Sequence, residues 1–88
     1  MTEVAQDVRS ELRSYIEENF LYLHPELELK DDDQFLTLGI VDSLGFVELV
    51  EEVQARYGIT VEDVEITEEN FGSIDAIVAY VERKRSSA

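Results

Sequence analysis

The stretch Phe35-Leu36-Thr37-Leu38-Gly39-Ile40-Val41-Asp42-Ser43-Leu44 decides the interpretation of this chain, because a loop ends there at the start of a helical pattern. Asp42 and Ser43 each suit an N-cap, since their side-chain oxygens accept hydrogen bonds from first-turn amides that have no other partner. Taken alone, the pair predicts only a capped helix.

The run that follows predicts an amphipathic helix from Ser43 to Tyr57, ended by Gly58. Glycine is unusual in the first turn of this helix, where Gly45 lies. Either a glycine there lowers the stability of the helix only slightly, or its bare backbone lets another molecule approach Ser43. We expect Val47 and Val50 to be partly buried. The broad apolar face comprises Leu44, Phe46, Val47, Leu49, Val50, Val53 and Tyr57, with Glu48, Glu51, Glu52 and Arg56 on the remainder.

Two further helices are predicted by periodicity. Apolar residues recur at helical spacing from about Thr2 or Glu3 to Phe20 or Leu21, with Thr2 as a possible cap and Pro25 preventing continuation. Ser73 is expected to cap a last helix, followed by a frayed tail at residues 85–88. The two apolar faces are Val4, Val8, Leu12, Tyr15, Ile16 and Phe20, and Ile74, Ile77, Val78 and Val81.

The connections between these helices are long. Residues 22–42 are read as an extended loop with Leu27 and Leu29 packed onto the bundle, and the acids at 31–33 as the start of a short turn through Phe35 and Leu36. Thr60 begins a capping-box spacing, and a short helical turn is predicted between Thr67 and Phe71. The sequence therefore predicts one all-α domain over residues 1–88, with a core of about 2–84. Three main helices and one short helix form a small four-helix bundle.

Composition excludes several functions. The formal charge is −14, and between Ser14 and Glu82 only Lys30 and Arg56 oppose 18 carboxylates, a field that repels nucleic acid and attracts basic partner surfaces. There is no cysteine, no apolar run of membrane-spanning length and no visible signal peptide, so we expect a soluble, cytoplasmic protein.

The residues for serine hydrolysis are missing. A nucleophilic serine needs a base and a group that orients it, but the single histidine, His24, is expected to be a surface residue in an unrelated loop, and G-x-S-x-G is absent.

A metal site would have to consist almost entirely of carboxylates, and no tight spacing supports one. The sequence therefore predicts a protein that is not an enzyme.

The motif F-x-x-L-G-x-x-D-S-L, followed by an acidic amphipathic helix, resembles the phosphopantetheine attachment site of acyl and peptidyl carrier proteins. The resemblance covers about Thr2 to Arg83. It implies that Ser43 carries a 4'-phosphopantetheine arm derived from coenzyme A, and that acyl or aminoacyl groups are held on the arm's thiol as thioesters. It also implies that Asp42 helps a phosphopantetheinyl transferase position its metal ion and the serine. The partner docking face that it implies comprises Leu44, Val47, Glu48 and Glu51.

Details of the motif favour one branch of that family. Two residues separate Gly39 from Asp42 where fatty-acid and modular peptidyl carriers usually have one, and Gly45 and Glu51 also depart from the fatty-acid pattern. The chain is more similar to stand-alone carriers, such as D-alanyl carrier proteins and discrete carriers of secondary metabolism. This similarity implies loading by an adenylate-forming ligase or an acyltransferase, delivery to a downstream synthase or transferase, and a monomeric carrier. The alternative of another class is an unmodified acidic helical interaction module.

Overall fold

The chain folds entirely into helices and loops over the residues that the structure describes. A computed structural model describes residues 2–87, with side chains over 8–86, and contains no strand within that range. The all-α prediction is confirmed, with one short helix more than expected. The elements are α1 (Thr2–Asn19), α2 (Phe35–Leu38), α3 (Ser43–Tyr57), α4 (Glu68–Phe71) and α5 (Ile74–Ser87), with 3-10 turns at Leu21–Leu23 and Asp63–Glu65.

The core lies between α1, α3 and α5, with Phe71 of α4 inserted among them. Each long helix contributes residues at three- and four-residue spacing, as the apolar patterns predicted. The predicted positions Thr2 and Val4 have side chains outside the described residues. The buried helical residues are Val8, Leu12 and Ile16 from α1; Phe46, Leu49, Val50 and Val53 from α3; and Ile74, Ile77, Val78, Tyr80 and Val81 from α5.

Residues close in sequence determine where the last helix, α5, begins and ends. The Ser73 hydroxyl accepts a hydrogen bond from the Ala76 amide at 3.1 Å, so the predicted cap is confirmed. The helix continues to Ser87, beyond the expected start of a frayed tail at residue 85, because neither glycine nor proline interrupts it and its last turn is basic. Ala88 lies outside the described residues.

The second connection contains one turn, Asp63–Glu65, in addition to the turn predicted after Thr67. Val61 is buried and its amide is bound by the side-chain oxygen of Gln54 at 2.9 Å, so the segment from Thr60 does not start a helix. The capping box is instead formed by Glu62 and Glu65 around the turn Asp63–Glu65. The predicted short turn after Thr67 is confirmed as α4, since its hydroxyl accepts from the helix's third amide.

The long connection between α1 and α3 is fixed to the bundle along its length. Leu29 is buried and Leu27 is partly buried, as the sequence predicted. The Arg13 side chain donates to the Leu29 carbonyl at 3.0 Å and also pairs with the Asp31 carboxylate. Two backbone bonds tie the connection to the region of α5: the Asp75 amide donates to the Asp31 carbonyl at 2.9 Å, and the Phe35 amide donates to the Gly72 carbonyl at 2.8 Å. These contacts hold the backbone of the connection that leads to Ser43 against the bundle.

Candidate functional site

Asp42 caps α3 and leaves Ser43 as the first residue of that helix. One carboxylate oxygen of Asp42 (Oδ1) accepts a hydrogen bond from the Gly45 amide at 2.7 Å, and the extended backbone of Asp42 is that of an N-cap. The sequence left open which of the two residues makes the cap. Because Asp42 makes it, the exposed Ser43 hydroxyl is not required for capping.

The turn before Asp42 sets the position of the serine. Gly39 has φ of +75°, a left-handed conformation that ends α2 at small steric cost only for glycine. Ile40 and Val41 then pack into the core, with 7% and 2% of their surface exposed. These are the two residues that separate Gly39 from Asp42, and their burial anchors the turn directly before the serine.

The predicted docking residues lie together on one exposed stripe of α3. Leu44, Val47, Glu48 and Glu51 are spaced at i, i+3, i+4 and i+7, and all four are exposed. The expectation of partial burial is corrected for two valines: Val47 remains 47% exposed, whereas Val50, which faces the core, is only 2% exposed.

Gly45 serves packing within the fold. A Cβ placed on Gly45 would lie 3.0 Å from Phe20 Cε1, 3.2 Å from Asp42 Oδ1 and 3.3 Å from Val41 Cγ1. Gly45 also lines the groove described below, so its bare backbone is still reachable from that side. The missing side chain allows the end of α1 to pack closely against the first turn of α3.

This close packing forms one wall of a groove that the sequence did not predict. The groove has a volume of about 390 Å³ and lies between residues 19–24, residues 39–40 and the start of α3. His24 lines it together with Asp42 and Leu44, so its loop is not unrelated to the site. Leu23 also lines the groove and is exposed, and large apolar side chains left in solvent often mark a binding surface, but this exposure is visible only in the fold.

Two classes of site receive no support from the described side chains. Over residues 8–86 no cluster of three or more histidine, cysteine or acidic residues has the arrangement needed to hold a metal ion. Among the helices described over residues 2–87, none combines the length and the apolar character needed to cross a membrane.

Comparison with known proteins defines the class of this molecule. Residues 10–81 match the family described as "Phosphopantetheine attachment site". The match spans most of the chain, which therefore belongs to this family of carrier proteins, in which 4'-phosphopantetheine is covalently attached to the domain.

Three similar proteins share one name. The chain is 35% identical over 75 residues to a D-alanyl carrier protein of Streptococcus suis, and the match covers 85% of this chain and 91% of the relative. It is 33% identical to the D-alanyl carrier protein of a second Streptococcus suis strain, with the same coverage of both chains. It is 31% identical over 81 residues to the D-alanyl carrier protein of Streptococcus thermophilus, covering 92% of this chain and 99% of the relative.

Proposed function

We propose that Ser43 is the attachment residue for the 4'-phosphopantetheine arm, and that the chain carries an aminoacyl group on it. The observation that supports this assignment is the exposed position of Ser43 as the first residue of α3, inside the matched region. The start of a 15-residue helix has a partial positive charge that favours a phosphodiester at this position.

The residues of this site fit such an attachment. The arm's thiol, when the arm is present, holds the carried group as a reactive thioester. The chain itself presents the serine at a rigid helix start and supplies the exposed stripe Leu44, Val47, Glu48 and Glu51 as a surface for partners. None of these tasks needs a base, so we propose that the chain is a substrate of its partner enzymes and has no catalytic activity of its own.

We propose a second role for Asp42. Its Oδ1 atom caps the helix through the Gly45 amide, while the carboxylate as a whole lies next to the serine that reacts. A carboxylate oxygen is a ligand that Mg²⁺ prefers. Asp42 would therefore help a phosphopantetheinyl transferase place its metal ion during transfer of the arm from coenzyme A.

The relatives favour a small amino acid as the cargo. All three proteins cited above are D-alanyl carriers, so D-alanine is the first candidate. An amino acid requires activation before thioester formation, so the proposed loading partner is an adenylate-forming ligase, and the partner that takes the group is a transferase. An acyl group supplied by an acyltransferase is the second candidate.

The experiment is an intact-mass measurement. The unmodified chain is incubated with coenzyme A, Mg²⁺ and a broad-specificity phosphopantetheinyl transferase, and its mass is expected to rise by one phosphopantetheinyl group. Ser43→Ala should stay at its unmodified mass. Ser10→Ala, which removes another exposed serine, should be modified like the wild type.

Each outcome has a clear meaning. A wild-type chain that gains no mass, while a known carrier in the same mixture does, contradicts the proposed attachment and leaves the unmodified acidic interaction module. A mass gain that persists in Ser43→Ala contradicts the assignment of the residue.

A further inference from the structure

Three side chains surround Gly45 in the turn that begins with Ser43. Two of them, Val41 and Asp42, come directly before that serine in the chain. The third is the ring of Phe20, whose Cε1 atom would lie 3.0 Å from a Cβ placed on Gly45. Phe20 follows the last residue of α1, so this ring is a contact by which the end of α1 fixes the first turn of α3.

The Phe20 ring is itself held in place. The Phe20 amide donates to the Ile16 carbonyl at 2.8 Å, which continues the hydrogen-bond pattern of α1. The Tyr15 ring meets the Phe20 ring edge to face, with centroids 6.0 Å apart and planes at 74°. The Arg56 guanidinium of α3 lies over the Tyr15 ring at 5.9 Å. The wall that Phe20 presents to Gly45 is therefore supported from both helices.

The Phe20 ring lies on the same side of Gly45 as the oxygen that caps α3. The Gly45 amide has no carbonyl partner within the helix and donates to Asp42 Oδ1 at 2.7 Å. A Cβ on Gly45 would lie 3.2 Å from this same oxygen. Gly45 is buried although Asp42 and Ser43 are exposed. Because hydrogen bonds are stronger where water is excluded, the ring strengthens the cap.

We infer that Phe20 is a positioning residue for the modification of Ser43, an inference that rests on the proposed function. With the ring in place the first turn stays formed, and the Ser43 hydroxyl stands at the helix start that favours a phosphate. In the reaction the Ser43 oxygen bonds to the phosphorus of coenzyme A that carries pantetheine, its proton passes to a base of the transferase, and 3',5'-adenosine bisphosphate leaves. Phe20 touches none of the reacting atoms.

This role predicts which kinetic constant changes. In Phe20→Ala, water reaches the cap and the first turn opens for part of the time, so only a fraction of the molecules presents the serine correctly. A transferase that binds this fraction alone shows a KM raised about threefold to tenfold, with kcat near the wild-type value. A general loss of stability in a variant that remains folded would change neither constant.

Ile59→Ala is the matched control. Ile59, like Phe20, is partly buried and packed on the core. It follows the opposite end of α3, which is about 22 Å long at 1.5 Å per residue. We expect its KM and kcat for modification to equal those of the wild type.

Hydrogen exchange of the Gly45 amide tests the same contact without a transferase. The amide depends on the cap for protection, so its exchange rate, measured by NMR on the unmodified protein, should rise about threefold or more in Phe20→Ala. It should stay at the wild-type rate in Ile59→Ala.

A compensating pair of substitutions tests whether Phe20 and Gly45 act through one contact. Gly45→Ala places its methyl group against Phe20 Cε1 and should slow modification, although alanine otherwise favours a helix. Phe20→Leu removes the Cε1 atom while it keeps an apolar side chain. Combined with Gly45→Ala, it should restore kcat/KM to within about twofold of the wild type, because contacting residues are not additive. This pair decides the question even if Phe20→Ala does not fold.

The outcomes separate the role of Phe20 from the attachment itself. Modification of folded Phe20→Ala with wild-type constants overturns the positioning role, and so does an equal rise of KM in Ile59→Ala. A double variant whose loss is the product of the two single losses overturns it as well. In these cases the mass gain of the wild type at Ser43 still stands. A wild-type chain that gains no mass removes both the attachment and the role of Phe20, whatever the exchange rate of the Gly45 amide.

Discussion

Asp42 is the residue at which a structural role and a proposed chemical role are combined. The two roles are separable, because asparagine caps helices about as well as aspartate but is a much poorer ligand for a divalent cation. We predict that Asp42→Ala lowers the free energy of unfolding by about 1 kcal/mol, whereas Asp42→Asn changes it little. Both variants should slow modification of Ser43.

Urea unfolding and the initial rate of mass gain at fixed Mg²⁺ concentration measure the two effects. Ser10→Ala is the reference for both, since it changes an exposed residue of α1. If Asp42→Asn is modified at the wild-type rate, the carboxylate acts as a helix cap only.

Residue-scale prediction from sequence was accurate where the interaction is local. The capping role of Asp42 involves Gly45, three positions away, and the end of α3 at Gly58 follows from the conformational preference of glycine. The packing role of Gly45 was missed because its contact, Phe20, belongs to another element. No pattern in the sequence relates those two positions.

At the scale of elements, the long connection owes its fixed path to two arginines of α1. Both Arg13 and Arg9 pair with the Asp31 carboxylate, the latter at 2.9 Å, and Arg9 also pairs with Asp75 at the start of α5. The Arg13 hydrogen bond is the main cause that lowers the pKa of Asp31, with Arg9 adding to it. These ion pairs therefore join α1, the connection and α5.

This lowered pKa predicts the pH dependence of one contribution to stability. Because the pKa of Asp31 is lower in the folded state, its stabilisation is fully present above the unfolded value of about 4 and is lost as the pH falls through the folded value. We predict that Asp31→Asn is less stable than wild type by about 1 kcal/mol at pH 7, since the pairs are partly exposed. The difference should vanish at low pH.

Urea unfolding of both proteins from pH 7 to pH 2 measures this difference. Asp32→Asn serves as the matched control, because it removes the exposed carboxylate next to Asp31 and changes the net charge by the same amount. A stability difference between wild type and Asp31→Asn that stays constant down to pH 2 would contradict the ionic origin of the contribution.

The sequence predicted the three long helices more closely than the connection between α1 and α3. Periodicity predicted α1, α3 and α5 closely, since their apolar faces repeat at helical spacing and all pack on one core. The connection was predicted as an extended loop with a short turn through Phe35 and Leu36, which the structure has as α2, but its path over the bundle was not predicted. Its path depends on ion pairs and backbone bonds between residues distant in sequence, and neither leaves a periodic signal.

At the scale of the whole molecule, the charge of −14 surrounds the site with negative potential. Glu48 and Glu51 extend this field along the exposed stripe of α3 that also contains Leu44 and Val47. A stripe of this composition fits a partner with basic side chains around an apolar pocket. In the docking proposed above, long-range attraction would speed the encounter with such a partner, and weak contacts would permit the rapid dissociation that repeated transfers require.

We therefore predict that Glu51→Lys slows loading by the partner enzyme without unfolding the bundle. Glu51 is exposed, so the charge reversal acts on association with the partner rather than on packing within the bundle. The loading rate at low salt should fall roughly threefold to tenfold, and the difference should shrink in about 0.5 M NaCl, where screening is strong. Glu28→Lys makes the same change of charge at an exposed position outside the proposed docking face. If both variants slow loading equally, the total charge of the molecule determines recognition and the stripe on α3 has no special part in it.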